Sequence, residues 1–206
     1  MFVNMLSSEW SKGIEGDGEA REAEDREVTV VYMNVEGSVD ATHEFLVRGV
    51  RESVAVAFVG EYWVGRKLGL GTQLDLDYVG LGSVSGGVRI ACHVLRDLVD
   101  FCELVVCDNR FVCVELGVVR IGGVYSKCGA RVHKMVHWLD SLHASIGSGR
   151  WVLMGDCNAH HVGWSLDERS DPAGQVLEAC QWWNARGARL VVGRTHTLRG
   201  NTGMGW

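Results

Sequence analysis

Three observations predict an α/β fold. Short runs rich in β-branched residues alternate with longer segments of helical period. One run, VAVAFV at 54–59, is apolar at every position. Several of the runs end abruptly on a polar group. The alternation is the pattern of layered α/β domains. A uniformly apolar run is expected of a strand covered on both faces. Polar groups at the carboxyl ends of strands are where α/β folds build their sites.

The elements follow in order. Residues 1–27 alternate glycine and charge without apolar periodicity and carry eight acids against three bases, so they read as a flexible acidic leader, with the folded domain beginning at 28 and running to 206. Residues 28–35 (VTVVYMNV) read as a strand. Residues 40–53 read as a helix with Asp40 as N-cap and Phe45, Leu46 and Val50 on its buried side. After the strand at 54–59, further strands are predicted at 88–94, 104–107, 111–116 and 118–125, with Asp108 and Asn109 in a hairpin turn. The clearest helix spans 130–146, where Val132, Met135, Val136, Leu139, Leu142 and Ile146 recur at helical spacing and Gly147 supplies the stop. WVLM at 151–154 is a short buried strand. Pro172 after Asp171 marks a helix start, with Val176, Leu177, Cys180 and Trp183 turned inward, and residues 189–192 begin one more strand.

Composition narrows the class. The chain has 206 residues, 47% hydrophobic and 22% charged, which suits one globular domain and excludes disorder as the whole description. No stretch reaches the roughly 18 apolar residues of a membrane helix, so no membrane partner is expected. The net charge of −6 belongs mostly to the leader; from Val28 onward eighteen acids meet seventeen bases. That near-neutral body permits a basic patch without demanding one. Seven cysteines (Cys92, Cys102, Cys107, Cys113, Cys128, Cys157 and Cys180) contain no CxxC pair and sit mostly in apolar runs. Reduced thiols in an intracellular protein, nuclear or cytoplasmic and not secreted, are the expectation.

The most informative segment is GDCNAHHVGW at 155–164, directly after a buried strand. In extended chain Asp156 and Asn158 share a face. A carboxylate there can activate water while the neighbouring amide orients it or holds a phosphate oxygen. The plainer reading is a capped turn in which both side chains bond their own backbone. Asn34, Glu61 and Tyr125 likewise close strands. Four strand ends from neighbouring strands would converge on one point. Such Glu, Asp and Asn oxygens are hard ligands suited to Mg²⁺ or Mn²⁺.

At these residues the chain resembles a known family. GDCNAHHVGW is similar to the GDFNAHHPxWG segment of the endonuclease domains of non-LTR (LINE-like) retrotransposons, members of the endonuclease/exonuclease/phosphatase superfamily with apurinic endonucleases and DNase I. YMNVEGSVDATHEFL resembles the family's opening Asn motif and helix, VGEYWVG its QEPWVG, GVYS its tyrosine-bearing strand, and NARGARLVVGRTHTLRG its NxxGLxLLNxxxPTxxRG. Residues 28–200 are covered in the family's order. The resemblance implies a two-sheet, DNase I-like α/β sandwich with helices outside. It implies that Glu61 is the principal metal ligand, supported by Asn34, and that Tyr125 bonds the scissile phosphate. Asp156 would align and deprotonate the attacking water, and Asn158 would orient Asp156 and the phosphate. Thr195, with Thr197 as the alternative, would lie near the phosphate. His160 and Trp164 would be DNA contacts. The implied reaction is metal-assisted phosphodiester hydrolysis that nicks one DNA strand and leaves a 3′-hydroxyl. In retrotransposition that end primes reverse transcription, so a reverse transcriptase domain is an implied partner.

Some positions depart from the family. Gly60 stands for the usual glutamine, Tyr62 for the proline and Cys157 for the aromatic of GDFNA. The family continues with an Ile-Asp strand and a terminal Ser-Asp-His, which no residue here matches, so the domain is expected to be incomplete at its C-terminus with the last strands missing. An inactive truncated remnant, or a superfamily phosphatase or phosphodiesterase acting on another substrate, is the alternative reading. His133 and His137 lie four apart on a helix, but without an HExxH glutamate they read as a surface pair. Trp151, Trp182 and Trp183 read as core. Trp63 is placed for contact with DNA, whereas Arg66, Lys67, Arg194 and Arg199 read as solvated loop charges.

Overall fold

The computed structural model describes residues 2–7, 26–62, 77–81, 89–126, 132–147 and 149–158. In chain order these form β1 (Phe2–Ser7), β2 (Arg26–Asn34), α1 (Val39–Arg51), β3 (Val56–Gly60), β4 (Tyr78–Leu81), β5 (Ile90–Leu95), a 3-10 turn (Arg96–Phe101), β6 (Cys102–Cys107), β7 (Phe111–Leu116), β8 (Val119–Tyr125), α2 (Val132–Ile146) and β9 (Arg150–Asp156). One sheet has the order β1-β2-β3-β5-β4 and the other β6-β7-β8-β9. In each, one neighbouring pair is parallel: β2 with β3, and β8 with β9. The other pairs are antiparallel.

Alternation along the strands assigns the faces. In β2, Val30 and Tyr32 point inward with Val56 and Phe58 of β3 and Ile90 and Cys92 of β5. They pack against Val112 and Val114 of β7, Ile121 and Tyr125 of β8, and Met154 of β9. Val31 and Ala57 point outward to Leu46 of α1, beside Val54 and Tyr78. On the far side Phe111, Cys113 and Val124 meet Trp138, Leu139, Leu142 and Ile146 of α2. The layers are therefore helix, sheet, sheet, helix. This is the predicted α/β sandwich with helices outside.

The helices are held at their ends. Ser38 is the N-cap of α1, its hydroxyl accepting from the Ala41 N–H at 3.1 Å. The C-terminal end of α2 is tied to the second sheet by Arg120 of β8. Its Nη1 donates to the Ile146 carbonyl while its Nε pairs with Glu115 at 2.6 Å. A cation at the carboxyl end also favours the helix dipole.

Several expectations need correction. Residues 1–27 are not wholly a leader: Phe2–Ser7 pairs antiparallel with β2 over Arg26–Val31. Main-chain pairing at a sheet edge needs no apolar pattern, so composition did not reveal it. Asp40 is not the cap, because α1 begins one residue earlier and Ser38 lies at its boundary. β4 and the 3-10 turn were not predicted. Trp138, absent from the predicted inner side of α2, is buried at 6% exposure, whereas Val136 is only half-buried. Trp151 is half-buried and meets His143 edge-on, ring centroids 6.0 Å apart.

Among the described residues no helix is long and apolar enough to cross a membrane. The described cysteines are free thiols: Cys92 and Cys113 are buried, and Cys102, Cys107 and Cys157 are half-buried. His133 and His137 are exposed on α2, as a surface pair should be. The predicted helix after Pro172, the strand at 189–192, Cys128, Cys180, Trp182 and Trp183 lie outside the described residues.

Candidate active site

Four strands deliver their last residues to one rim. Asn34 is the final residue of β2, Glu61 follows the last residue of β3, and Tyr125 and Asp156 end β8 and β9. Parallel pairing sets Asn34 beside Gly60 and Tyr125 beside Asp156. Face-to-face packing of the sheets then brings the two pairs together. Hydrogen bonds cross the seam in both directions: the Tyr125 hydroxyl donates to Glu61 Oε1, and Asn34 Nδ2 donates to Asp156 Oδ2 at 3.4 Å.

Asn158 joins them by a different route from the one its spacing suggested. The strand ends at Asp156 and Asn158 takes φ +47°, so the two no longer share an extended face. The backbone N–H of Asn158 donates to Asp156 Oδ1 at 2.8 Å, while its carboxamide Nδ2 donates to the Ser126 carbonyl at 2.7 Å. The first bond is the capped turn of the plainer reading. The cross-sheet bond from Asn34 goes beyond it, because a residue capping only its own turn has no partner 122 positions away. Asp156 is therefore held from two sides.

The backbone is also pinned here. The Val35 N–H donates to the Gly60 carbonyl at 3.0 Å, and the Gly37 N–H to the Glu61 carbonyl at 2.9 Å, so the loop after β2 clamps the end of β3. That loop is itself held by the Glu36 N–H bonding Asn34 Oδ1 at 3.0 Å. Within the second sheet, the Ser126 N–H bonds the Asp156 carbonyl at 2.8 Å. Glu36, Glu61 and Asn158 all have φ between +47° and +49°. This region costs a side-chain-bearing residue roughly 1–2 kcal/mol. Such outliers persist only where surrounding contacts enforce them, and three of the four among the described residues gather at one rim, the fourth, Ser53, lying after α1. Gly155 has φ +151°, and a Cβ there would lie 2.7 Å from Val124 Cγ2 and closer still to the Val124 carbonyl oxygen. Glycine is what lets β9 deliver Asp156.

The electrostatics favour neutral donors beside charged acceptors. Burial first, then the hydrogen bond and charge of Glu61, push the Tyr125 phenol up to about 12, with Asp156 adding to the rise and Arg89 opposing it. Tyr32, buried beneath the rim, is raised above the ordinary phenol range by burial, then by Asp156, Cys157, Tyr125 and Glu61. Burial and the charge of Asp156 push the Cys157 thiol up to about 12, which leaves it a protonated, unreactive group.

The donor set fits a hard divalent cation. Mg²⁺ takes oxygen ligands and is usually bound through one or two carboxylates with several waters retained. Glu61 and Asp156 supply two carboxylates and Asn34 a carboxamide oxygen. A carboxylate offers about four lone-pair directions, so one hydrogen bond from Tyr125 leaves Glu61 capacity for a cation. Among the described residues no group of three or more His, Cys, Asp or Glu gathers as a metal cluster.

Three contributors escaped the sequence reading. Tyr32 had a usable signal, since it lies two residues before Asn34 and so shares its face. Ser126 acts through its backbone, which no side-chain pattern reports. Arg89 precedes β5, and its N–H bonds the Asn109 carbonyl at 3.0 Å, so the start of β5 reaches the turn between β6 and β7. The expected contacts Thr195, His160 and Trp164, together with Thr197, Trp63, Arg66, Lys67, Arg194 and Arg199, lie outside the described residues.

Two facing mixed sheets flanked by helices, with polar groups at the ends of the parallel strands, define a DNase I-like α/β sandwich. Among solved structures the chain is similar to the endonuclease domain of TRAS1, a telomere-specific non-LTR retrotransposon. The identity is 19%, the match covers 73% of this chain and 69% of that one, and the TM-score is 0.60. A second match is to D. rerio TDP2, humanized by 14 mutations, at 11% identity over 66% of this chain and 64% of that one, with a TM-score of 0.44. No family model and no curated protein sequence matches the chain.

Proposed function

We propose that this chain is a divalent-metal-dependent endonuclease domain of the endonuclease/exonuclease/phosphatase superfamily, which nicks one strand of DNA as part of a non-LTR retrotransposon. The observation that carries the reading is the double crossing of the seam, Tyr125 to Glu61 and Asn34 to Asp156. It gathers two carboxylates, a carboxamide and a phenol from four strand ends into one place. The motif resemblance and the shared fold support the same class.

In this reading Asp156 accepts the proton of the attacking water. Its two hydrogen bonds fix the carboxylate's orientation, so proton transfer occurs in one geometry. Water attacks phosphorus, and the bond from phosphorus to the 3′-oxygen breaks with its electron pair left on that oxygen. That oxygen takes a proton from solvent to become the 3′-hydroxyl, and the attacking oxygen stays on the 5′-phosphate. Glu61, held by Tyr125, and Asn34 would bind Mg²⁺ or Mn²⁺, which when bound polarises the phosphate and stabilises the leaving oxygen. Tyr125 stays a neutral phenol whose one hydrogen is given to Glu61 in the free chain and would turn to the phosphate when DNA binds, and Asn158 keeps the turn that orients Asp156. Thr195, His160 and Trp164 are proposed DNA contacts, and a reverse transcriptase domain is the proposed user of the nicked end.

The test is conversion of supercoiled plasmid to open circle with Mg²⁺ or Mn²⁺. Wild-type chain should nick, and Asp156→Ala and Glu61→Ala should each lose at least about a hundredfold in rate. No nicking by wild type, or nicking by both variants at the wild-type rate, rejects the enzyme reading. DNA binding without nicking would mark an inactive remnant. Preference for lipid or inositol phosphates in a substrate panel would move the activity elsewhere in the superfamily.

A further inference from the structure

Position 60 carries no side chain, and the reason is not its backbone. Gly60 is absent from the residues with positive φ, so any amino acid could adopt its conformation. What excludes a side chain is Tyr32. A Cβ at position 60 would lie 2.8 Å from Tyr32 Cζ and closer still to the Tyr32 hydroxyl. In the parallel pairing of β2 and β3, Tyr32 lies beside Phe58 and Asn34 beside Gly60. The Tyr32 ring therefore leans two pairs forward, toward the carboxyl ends of the strands. Its hydroxyl finishes against the backbone of Gly60, one residue before Glu61. The side chain is 7% exposed and belongs to the core between the sheets. In the motif QEPWVG this position holds glutamine; here its place is filled from the neighbouring strand.

We propose that Tyr32 is a positioning residue of the candidate site, and that its hydroxyl, admitted only because residue 60 is glycine, forms the floor beneath the Glu61 and Asp156 carboxylates. The role rests on the two-carboxylate reading given above. Three consequences follow from the geometry. The phenol is neutral, so it brings no further charge to the two like charges above it. It fills space that water or a longer residue 60 would otherwise take, which keeps the carboxylates at fixed separation. It is buried in the core between the sheets, so its effect passes through Glu61 and Asp156.

Two measurements test this, and they fail separately. The first is a double-substitution cycle read by urea unfolding. Gly60→Ala should lower the urea midpoint in the Tyr32 chain and lower it no further when combined with Tyr32→Ala; equal lowering in both backgrounds overturns the pairing. The second uses Tyr32→Phe, which keeps the ring and the packing should Tyr32→Ala fail to fold. Its Mn²⁺ affinity, titrated by electron paramagnetic resonance without DNA, should fall about tenfold, the lower end of what losing a group behind the metal ligands costs. In the nicking assay kcat should fall with it while KM for DNA stays unchanged. Tyr32→Phe indistinguishable from wild type in the Mn²⁺ titration overturns the positioning role. If the wild-type chain never nicks, the nuclease reading fails, yet the urea cycle and the Mn²⁺ titration still decide the role of Tyr32.

Discussion

Tyr125 and His93 are both buried titratable groups, and burial moves them in opposite directions along the pH scale. For Tyr125 the phenol, pushed up to about 12 by burial and by Glu61, keeps its proton throughout any practical assay. Tyr125→Phe should therefore reduce nicking by about tenfold, and by the same factor from about pH 6 to pH 9. A pH–rate comparison checks this, and a factor that shrinks toward alkaline pH would contradict it. His93 of β5 is 6% exposed, and burial lowers its pKa from 6.5 to about 4. Its Nε2 has no hydrogen-bond partner among the described residues. Between those two values the unfolded chain binds a proton that the folded chain refuses, so stability is present above about 6.5 and is lost as pH falls toward 4. The loss is roughly 3 kcal/mol for a shift of this size. Urea midpoints across that window should fall for wild type and stay flatter for His93→Leu. Parallel curves would remove His93 from the account.

Among the elements, β9 depends most on one position. Gly155 both adopts φ +151° and leaves no room for a Cβ against Val124. Gly155→Ala should cost more than about 2 kcal/mol, since strain and overpacking add. It should also remove nicking, because Asp156 is the next residue. An unchanged urea midpoint would refute this. The predicted elements show where local pattern suffices. β7 was predicted with its observed bounds, and β2, β3, β5, β8 and α2 to within a few residues, because each carries an apolar run or period long enough to outweigh its flanks. β1 and β4 were missed for a shared reason. β1 is an edge strand at one end of its sheet and β4 at the other, so each is held largely by main-chain pairing to one neighbour. The cap of α1 was misplaced by two positions because Asp40 and Ser38 are both good capping residues. The turn at Glu36 and Gly37, both with positive φ, decides which of them meets the helix start.

At the scale of the whole molecule, the candidate site is a property of the seam between two sheets. Neither sheet alone holds both carboxylates: Glu61 comes from the first and Asp156 from the second. A cation held by Glu61 and Asn34 at this seam would be favoured only by the folded chain and should stabilise it. At ten times its Kd, Mg²⁺ or Mn²⁺ should add about 1.4 kcal/mol, a rise in Tm of roughly 3–6 °C for a domain of this size. Chelation should reverse the rise, and Glu61→Gln should abolish it. Thermal unfolding with and without metal reads this directly, and an equal rise in Glu61→Gln would place the cation elsewhere.

The amino-acid sequence by itself determined the α/β class, most of the strands and both described helices, and the polar residues that close four of the strands. These are short-range properties, written as periodicity and as the point where an apolar run stops. Which strand ends meet was decided only by the tertiary structure. Asn34 reaches Asp156, and Tyr125 reaches Glu61, because β2 pairs parallel with β3, β8 pairs parallel with β9, and the two sheets pack face to face. The fit of Tyr32 against Gly60 is decided the same way. Twenty-eight positions separate them, and only the register of two neighbouring strands turns a missing side chain on one into room for a phenol on the other.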